Sequence, residues 1–378
     1  MPTFNRRHFL HSLPITAAPV LLGAADSFFR VTRHAGRWWF LDPSGKHTFS
    51  LGLNHLDPAT LRYGPDGGLW HSRYANNMER WLHDKVRPDL LRWGFNCLGW
   101  NQEVISRGPT NHKHSRPFTF DEYQWLGLPY CHLLPFTEFH QWEAQTRHPD
   151  LFASEFEDWC DHVAREHCVP FARDPKLIGY FYVDCPTWVH TRPENEWKGP
   201  LFDPARLTTD AGRKEFTALA TRYYKVTHDA IRRYDRNHLI LGDRYEAAAA
   251  LPVEVVLAAR PYIDVLSFQQ FGAPDKVRAD FDKWRGVVDL PILLADGAGN
   301  LRTPSGVVRH DTKKYADVMA VLRDNPNCVG FHLCGAYLAN RIRRRGLLDE
   351  QERPDEEVVA AITAVNRETT RWAERAAR

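Results

Sequence analysis

Polar and ionisable side chains follow each of eight short apolar segments of the chain. The group includes carboxylates, which transfer protons or attack electrophilic carbon, and imidazoles and thiols, which can bind metals. Such a concentration of reactive groups at similar positions predicts a functional site. These residues are His55, Trp100, Asn101, His132, Asp184, Cys185, Asp243, Arg244, Tyr245, Glu246, Gln269, Gln270, Asp296, His332 and Cys334.

The apolar segments that precede these residues predict β-strands. They alternate with longer stretches of 3.6-residue periodicity, a pattern typical of repeated βα units around a parallel sheet. The carboxyl ends of parallel barrel strands meet at one face, so the polar residues are expected to meet there as well. The predicted strands are residues 49–54, 97–100, 130–134, 178–183, 238–242, 265–269, 291–295 and 329–333, and the main predicted helices are residues 155–168, 213–233, 274–284 and 312–323, with a closing helix from residue 355.

This order of elements predicts a single (β/α)8 TIM barrel of the α/β class. A doubly wound open sheet usually has a Gly-rich turn after its first strand, whereas residues 54–58 read Asn-His-Leu-Asp-Pro. Residues 38–45 predict an additional strand and a tight turn, which we interpret as an N-terminal β flap over the barrel floor. No linker rich in Gly, Ser or Pro divides the chain, so residues 26–378 are predicted to form one catalytic domain.

Four segments resemble the agarase-like glycoside hydrolases, which belong to a large clan of (β/α)8 retaining enzymes. The likeness begins with Gly-x-Trp-Trp-x-x-Asp-Pro-x-Gly before the first barrel strand and continues through strands two and four to the closing segment. The resemblance implies hydrolysis of a β-linked galactan. The matching segments are residues 36–55, 93–100, 174–181 and 346–349.

The sequence departs from this family at both catalytic positions. In the family, strand four ends in Asn-Glu with an acid/base Glu, and strand seven ends in a nucleophilic Glu, whereas this chain has Asp184-Cys185 and Asp296. Glycosidic cleavage needs one carboxyl group to protonate the leaving oxygen and one to act on the anomeric carbon or on water. We therefore predict Asp184 as the proton donor and Asp296 as the base or nucleophile. Two shorter side chains should lie further apart, toward the separation of about 6.5–9.5 Å found in inverting enzymes.

Three other interpretations stay open. Asp184 could bind only a sugar hydroxyl, with Glu246 as the acid. Cys185 could act as a thiolate, alone or on a metal. The protein could also bind glycans without cleaving them. No ligands have the close spacing of a recognisable zinc site, so we predict neither a metal nor a cofactor. The residues that could share a metal with Cys185 are Cys97, Cys131, His132, His55, His332 and Cys334.

Several side chains around the carboxylates are predicted to bind the glycan. Aromatic rings can stack on sugar rings, while imidazole and amide groups can hydrogen-bond to hydroxyls. Arg244 is suited to a charge-assisted contact with Asp296 or with an acidic sugar. The predicted substrate-binding residues are His55, Trp100, His132, Cys185, Trp188, Arg244, Tyr245, Glu246, Gln270 and His332.

The composition suits a glycan partner better than a nucleic acid. The chain has 13 Trp, 13 Tyr, 21 Phe and 19 His, and its formal net charge is only +2. Its Lys and Arg residues are scattered, without the basic stripe that a nucleic-acid surface needs. The exception is a short run of arginines at positions 341 and 343–345, which would favour an anionic glycan if it faced the site.

The first 25 residues resemble a twin-arginine export signal. Arg6-Arg7 precede an apolar stretch at residues 13–22 and small residues at 23–25. That stretch is too short for a membrane-spanning helix and contains Pro14 and Pro19. We predict a mature protein that begins near Asp26, lies in the periplasm or outside the cell, and has no membrane contact. Its oligomeric state is left open, and its seven cysteines, an odd number, cannot all pair within the chain.

Overall fold

The structure is a computed structural model that describes residues 27–106, 113–137, 145–147, 149–189, 196–198, 203–248, 250–304, 306–335 and 337–378. The predicted signal, residues 1–25, lies outside this range. Among the described residues, no helix is both long enough and apolar enough to span a bilayer. All seven cysteines are described and buried, and none forms a disulfide.

Eight parallel strands close into a barrel, as the sequence predicts. Each strand pairs with its neighbour along the chain, and the last pairs with the first, so the open doubly wound sheet is excluded. All eight predicted strands are present, with ends that differ by a few residues. The barrel strands are β4 (Ser50–Leu53), β5 (Cys97–Leu98), β6 (Tyr130–Leu133), β7 (Leu177–Asp184), β8 (Leu239–Glu246), β9 (Leu266–Gln269), β10 (Ile292–Gly297) and β11 (Cys328–Leu333).

Helices connect the strands and cover the outside of the barrel. Their apolar faces pack on the outward-facing side chains of the strands, as in α5, which buries Phe156, Cys160 and Val163. The α-helices are α1 (Gly68–Tyr74), α2 (Met78–Trp81), α3 (Arg87–Arg92), α4 (Phe120–Leu126), α5 (Ser154–Cys168), α6 (Asp210–Tyr234), α7 (Val253–Ala259), α8 (Pro274–Val287), α9 (Thr312–Asp324) and α10 (Glu356–Ala376). Shorter helical turns are Ala59–Arg62, Pro65–Gly67, Leu82–Val86 and Pro204–Thr208, and paired short strands outside the barrel are Val104–Ser106 with Lys113–His114, Gln145–Arg147 with Glu196–Lys198, and Asn300–Arg302 with Val308–His310.

A three-stranded antiparallel sheet precedes the barrel and covers its floor, which confirms the predicted flap. Its strands are β1 (Arg30–His34), β2 (Arg37–Leu41) and β3 (His47–Thr48). The backbone N–H of Trp38 donates to the carbonyl of Pro326 at 2.8 Å, just before β11. Phe29 and Phe40 pack against the apolar residues inside the barrel, so the end opposite the polar strand ends is closed by aromatic rings.

A distortion in β8 decides which of its side chains enter the barrel. Gly242 has φ +63°, a left-handed conformation that other residues adopt only at a cost, and the pairing with β7 shifts register on both sides of it. After this residue, Asp243 faces the helices and Arg244 faces the barrel interior. Alternation along the strand then directs Tyr245 outward and Glu246 toward the barrel mouth.

Candidate active site

Arg244, on β8, lies at the barrel mouth and contacts two aspartates. Asp184 ends strand β7, and Asp296 lies near the end of strand β10. The Nη2 atom of Arg244 is 3.0 Å from Asp184 Oδ1 and 3.0 Å from Asp296 Oδ2. The guanidinium carbon lies 4.3 Å from the ring centroid of Trp100, a cation–π contact. The side chain is fully buried, so these contacts hold a desolvated cation between two carboxylates.

Asp296 is held as a carboxylate by the groups around it. Asn54 Nδ2 donates to its Oδ1 at 2.7 Å, and His55 Nε2 is 3.9 Å from its Oδ2. Burial opposes ionisation, but the charges of Arg244 and His55 outweigh it and lower the pKa of Asp296 far below its usual range. An ionised carboxylate at this position can act as a base or as a nucleophile.

Asp184 lies next to the same guanidinium and accepts a hydrogen bond from Gln269 Nε2. Since Arg244 Nη2 is 3.0 Å from one oxygen of each aspartate, these two oxygens are no more than about 6 Å apart. The range of about 6.5–9.5 Å for inverting enzymes refers to the separation of the whole carboxyl groups, so inversion stays a prediction for this pair. Arg244 lies between the two carboxylates, and Asp184 Oδ1 contacts both Arg244 and Gln269, an arrangement suited to positioning these two side chains.

Glu246 provides a different type of carboxyl group at the same mouth. Burial, together with the negative charges of Asp184 and Asp296, raises the pKa of Glu246 to about 7. Cys185 Sγ lies 3.9 Å from Glu246 Oε2, and burial and the same acidic neighbours raise the pKa of this thiol well above its usual value. Glu246 is therefore suited to be a proton donor near neutral pH, whereas Cys185 is not in a setting that favours a thiolate.

A second ion pair lies beside Asp296. Arg343 contacts Glu103 through Nε at 2.5 Å, and its Nη2 lies 3.0 Å from His55 Nε2. Burial and the charge of Arg343 oppose protonation of His55, but contacts with Asp296 and Cys334 outweigh them and raise its pKa to about 9. These residues come from loops after three different strands, and all are largely buried.

Four of the predicted substrate-binding side chains do not face the site, which corrects those predictions. Strand alternation directs His132 toward α5, where its Nε2 is 3.1 Å from His167 Nδ1, and Tyr245 toward α6, where it contacts Tyr224. Trp188 is buried against α6 as well and stacks on Tyr224. Gln270 turns toward α8, where its side chain contacts Gly272 and Asp280.

Two further predictions place residues inside the barrel but in structural roles. His332 Nε2 is 2.8 Å from Ser50 Oγ, and burial and the charge of Arg244 lower the pKa of His332 to about 3. Its ring occupies the space that Gly52 and Gly99 leave open, because a Cβ at either position would lie within 2.5 Å of the imidazole. Trp100 is only 2% exposed and lies against Arg244, so it supports that guanidinium and has little surface left for a sugar ring.

The structure also identifies residues that the sequence did not single out. Asn54 ends the predicted first strand and donates to Asp296, and Glu103 holds Arg343 from a loop after the second strand. Within the described residues, the group that could hold a metal is His55, Asp296 and Cys334, and it does not include Cys185. The remaining predicted residues, His55, Cys185, Arg244 and Glu246, do gather with Asp184 and Asp296 at the mouth.

Comparison with known proteins relates this arrangement to carbohydrate enzymes by fold. No protein-family model matches the chain. Beta-agarase B of Vibrio sp. (strain JT0107) is 26% identical over 123 residues, which is 30% of this chain and 13% of that protein. The crystal structure of an agarase, AgWH50C, aligns with a TM-score of 0.66 and 19% identity over 91% of this chain and 63% of that chain.

Two other structures extend the comparison. An exo-beta-agarase has a TM-score of 0.66 and 17% identity, covering 93% of this chain and 66% of that chain. A beta-glucuronidase of Bacteroides uniformis has a TM-score of 0.55 and 13% identity, covering 89% of this chain and 37% of that chain. The chain thus spans less than two thirds of the length of several relatives. Its fold is the (β/α)8 barrel of the agarases, which confirms the agarase-like resemblance predicted from the sequence.

Proposed function

We propose that this chain is a glycoside hydrolase that cleaves a polysaccharide, with Glu246 as the proton donor and Asp296 as the carboxylate that acts on the anomeric carbon or on water. One observation carries the proposal. Two carboxyl groups at one barrel mouth have environments that push their pKa values apart, upward for Glu246 and downward for Asp296. Glycosidic cleavage needs this combination of a protonated and an ionised carboxyl group.

The other residues of the mouth support these two roles. Asn54 and Arg244 hold both oxygens of Asp296 in place, so the carboxylate is oriented before the substrate binds. The negative charges of Asp184 and Asp296 help to keep the proton on Glu246 until it is transferred to the leaving oxygen. In this proposal Asp184 binds and orients Arg244, which replaces the proton-donor role expected from the sequence.

The fold neighbours suggest the substrate class. An agarase and an exo-beta-agarase share the barrel over most of this chain, so a β-linked galactan is the first substrate to test. We also propose that residues 1–25 direct export by the twin-arginine route, since the paired arginines and the apolar stretch have the required order. An exported enzyme would meet a polysaccharide outside the cytoplasm.

The test is incubation of the purified protein, without residues 1–25, with agarose and a panel of other neutral and acidic glycans. Products are followed by chromatography, and the Asp296→Asn variant serves as the control. We expect oligosaccharides from the unchanged chain and none from the variant. Binding without product on every glycan would contradict the proposal and favour a glycan-binding protein.

A further inference from the structure

Three side chains of different chemistry converge beside the proposed catalytic carboxylate. His55, Asp296 and Cys334 each offer one donor atom, and these atoms all lie within 4.8 Å of one another. Nitrogen, oxygen and sulfur donors are the three types that protein zinc sites use. We propose that His55, Asp296 and Cys334 bind a zinc ion at the barrel mouth.

The distances require only a small movement to form this site. Bonds of about 2.0–2.3 Å in a tetrahedral site hold neighbouring donor atoms roughly 3.3–3.7 Å apart. His55 Nε2 and Asp296 Oδ2 are 3.9 Å apart. Because each residue lies at the end of a barrel strand, the three side chains are positioned by the most rigid part of the fold, and short side-chain rotations would bring them to bonding distance.

Surrounding groups already orient the donor atoms as a second coordination shell would. The carbonyl of Gln102 can only accept, so His55 Nδ1–H donates to it and Nε2 faces Asp296. Zinc would replace the proton on Nε2, and binding would release that proton to solvent. Asn54 holds Asp296 through Oδ1, and Arg244 Nη2 lies 3.0 Å from Oδ2, so the ion would bind Oδ2 through the lone pair that Arg244 does not contact. Such outer contacts fix the ring orientation and the carboxylate in metal sites.

The sulfur of Cys334 has two guanidinium neighbours. Arg343 Nη1 and Arg345 Nη2 lie 3.4 Å and 3.6 Å from Sγ, so the sulfur is oriented by two N–H donors. Zinc would displace the contact between Arg343 Nη2 and His55 Nε2, while Arg343 keeps its ion pair with Glu103.

The same guanidinium charges make the site selective. They repel cations, so an ion that gains little from nitrogen and sulfur ligands, such as Mg²⁺, should not bind. Zinc gains much more from nitrogen and sulfur ligands than Mg²⁺ does. If the proposed function holds, a zinc ion on Asp296 would occupy the carboxylate that must reach the sugar, and zinc would therefore inhibit hydrolysis.

Calorimetric titration of the reduced protein with zinc alone tests the site without any glycan. We expect one zinc per chain in the unchanged protein and an affinity at least about 100-fold lower in Cys334→Ser. His55→Asn should show a similar loss, and asparagine tolerates the left-handed backbone at this position, where φ is +60°. Cys185→Ser removes another buried thiol of the mouth and should bind zinc normally.

Cobalt provides a spectroscopic check of the sulfur ligand. The unchanged protein and Cys185→Ser should show thiolate-to-cobalt charge-transfer absorption, and Cys334→Ser should lack it. Absence of zinc binding by the unchanged protein, equal zinc affinity in Cys334→Ser, or equal binding of magnesium would overturn the proposal. Because none of these measurements uses a glycan, a failure to find hydrolysis would remove only the proposed function.

Discussion

Strand β8 carries four consecutive polar side chains that belong to two different environments. Arg244 and Glu246 face the barrel mouth, where Arg244 joins two aspartates. Asp243 and Tyr245 face α6, where Tyr224 contacts both of them, Asp243 at 2.6 Å and Tyr245 at 2.5 Å. The comparison shows that a position at a strand end does not by itself identify a catalytic residue, since a single distorted glycine decides which neighbours enter the site.

Two aspartates, one at the barrel mouth and one on the outer face of β8, give the strongest test of the comparison. Asp296→Asn removes the ionised carboxylate of the mouth, and we expect kcat/KM to fall by about 10⁴-fold with the fold intact. Asp243→Asn, the same change on the outer face, should keep turnover and cost about 1–3 kcal/mol of unfolding free energy, because its hydrogen bonds with tyrosines are weakened. Equal loss of turnover in both folded variants would show that the mouth-facing and the α6-facing carboxylates do not differ in their importance for catalysis.

Glu246→Gln removes the proposed acid, and we expect a loss of about 10²–10⁴-fold on natural glycans. The loss should be smaller on aryl glycosides whose leaving groups need no proton. Because the protonated form is the active one, activity of the unchanged enzyme should fall as the pH rises through the pKa of Glu246, about 7. A pH–rate profile of Glu246→Gln that still has this alkaline limb would assign the acid to another group.

Arg244→Met tests what the central cation contributes to stability. The substitution leaves two buried carboxylates without their partner, and we expect a loss of about 3–5 kcal/mol in chemical denaturation. Arg353→Met breaks the exposed pair with Asp349 and should cost less than about 1 kcal/mol. Similar losses for the two variants would mean that burial of the mouth is less complete than the structure shows.

Gly242→Ala tests whether the distortion of β8 separates the two faces. The left-handed backbone and a Cβ only 3.0 Å from Ile263 should together cost about 1–2 kcal/mol. If the strand relaxes, Arg244 should lose its contacts with the two carboxylates. The rate of turnover should then fall further than the loss of folded protein alone explains. An unchanged rate and an unchanged melting temperature would show that the distortion is not needed.

Tyr245→Phe should have the smallest effect. It removes the hydroxyl that contacts Tyr224 and leaves the ring in place, so we expect a loss of about 0.5–1.5 kcal/mol and nearly unchanged kcat/KM. A large loss of activity on any glycan would mean that Tyr245 does bind substrate, as the sequence predicted.

The sequence was sufficient for the fold because apolar segments and helical periodicity mark all eight strands and the helices between them. It was less informative about side-chain direction. His132, Gln270 and Tyr245 stand beside inward-facing residues. Alternation alone directs His132 outward, whereas the direction of Tyr245 depends on a register shift whose one sequence signal is Gly242. Contacts between distant loops, such as Arg343 with Glu103, could not be predicted, since 240 residues separate the partners.

The flap has a consequence for how a polymer can approach Asp296. Phe29 and Phe40 seal the amino-terminal end of the barrel, and the interior above them is filled with apolar side chains. If the proposed function holds, a polysaccharide would not thread through the barrel and would bind at the end that carries Asp296, since the described residues close the other end. Substrate and product of the proposed reaction would then enter and leave at the same end of the barrel.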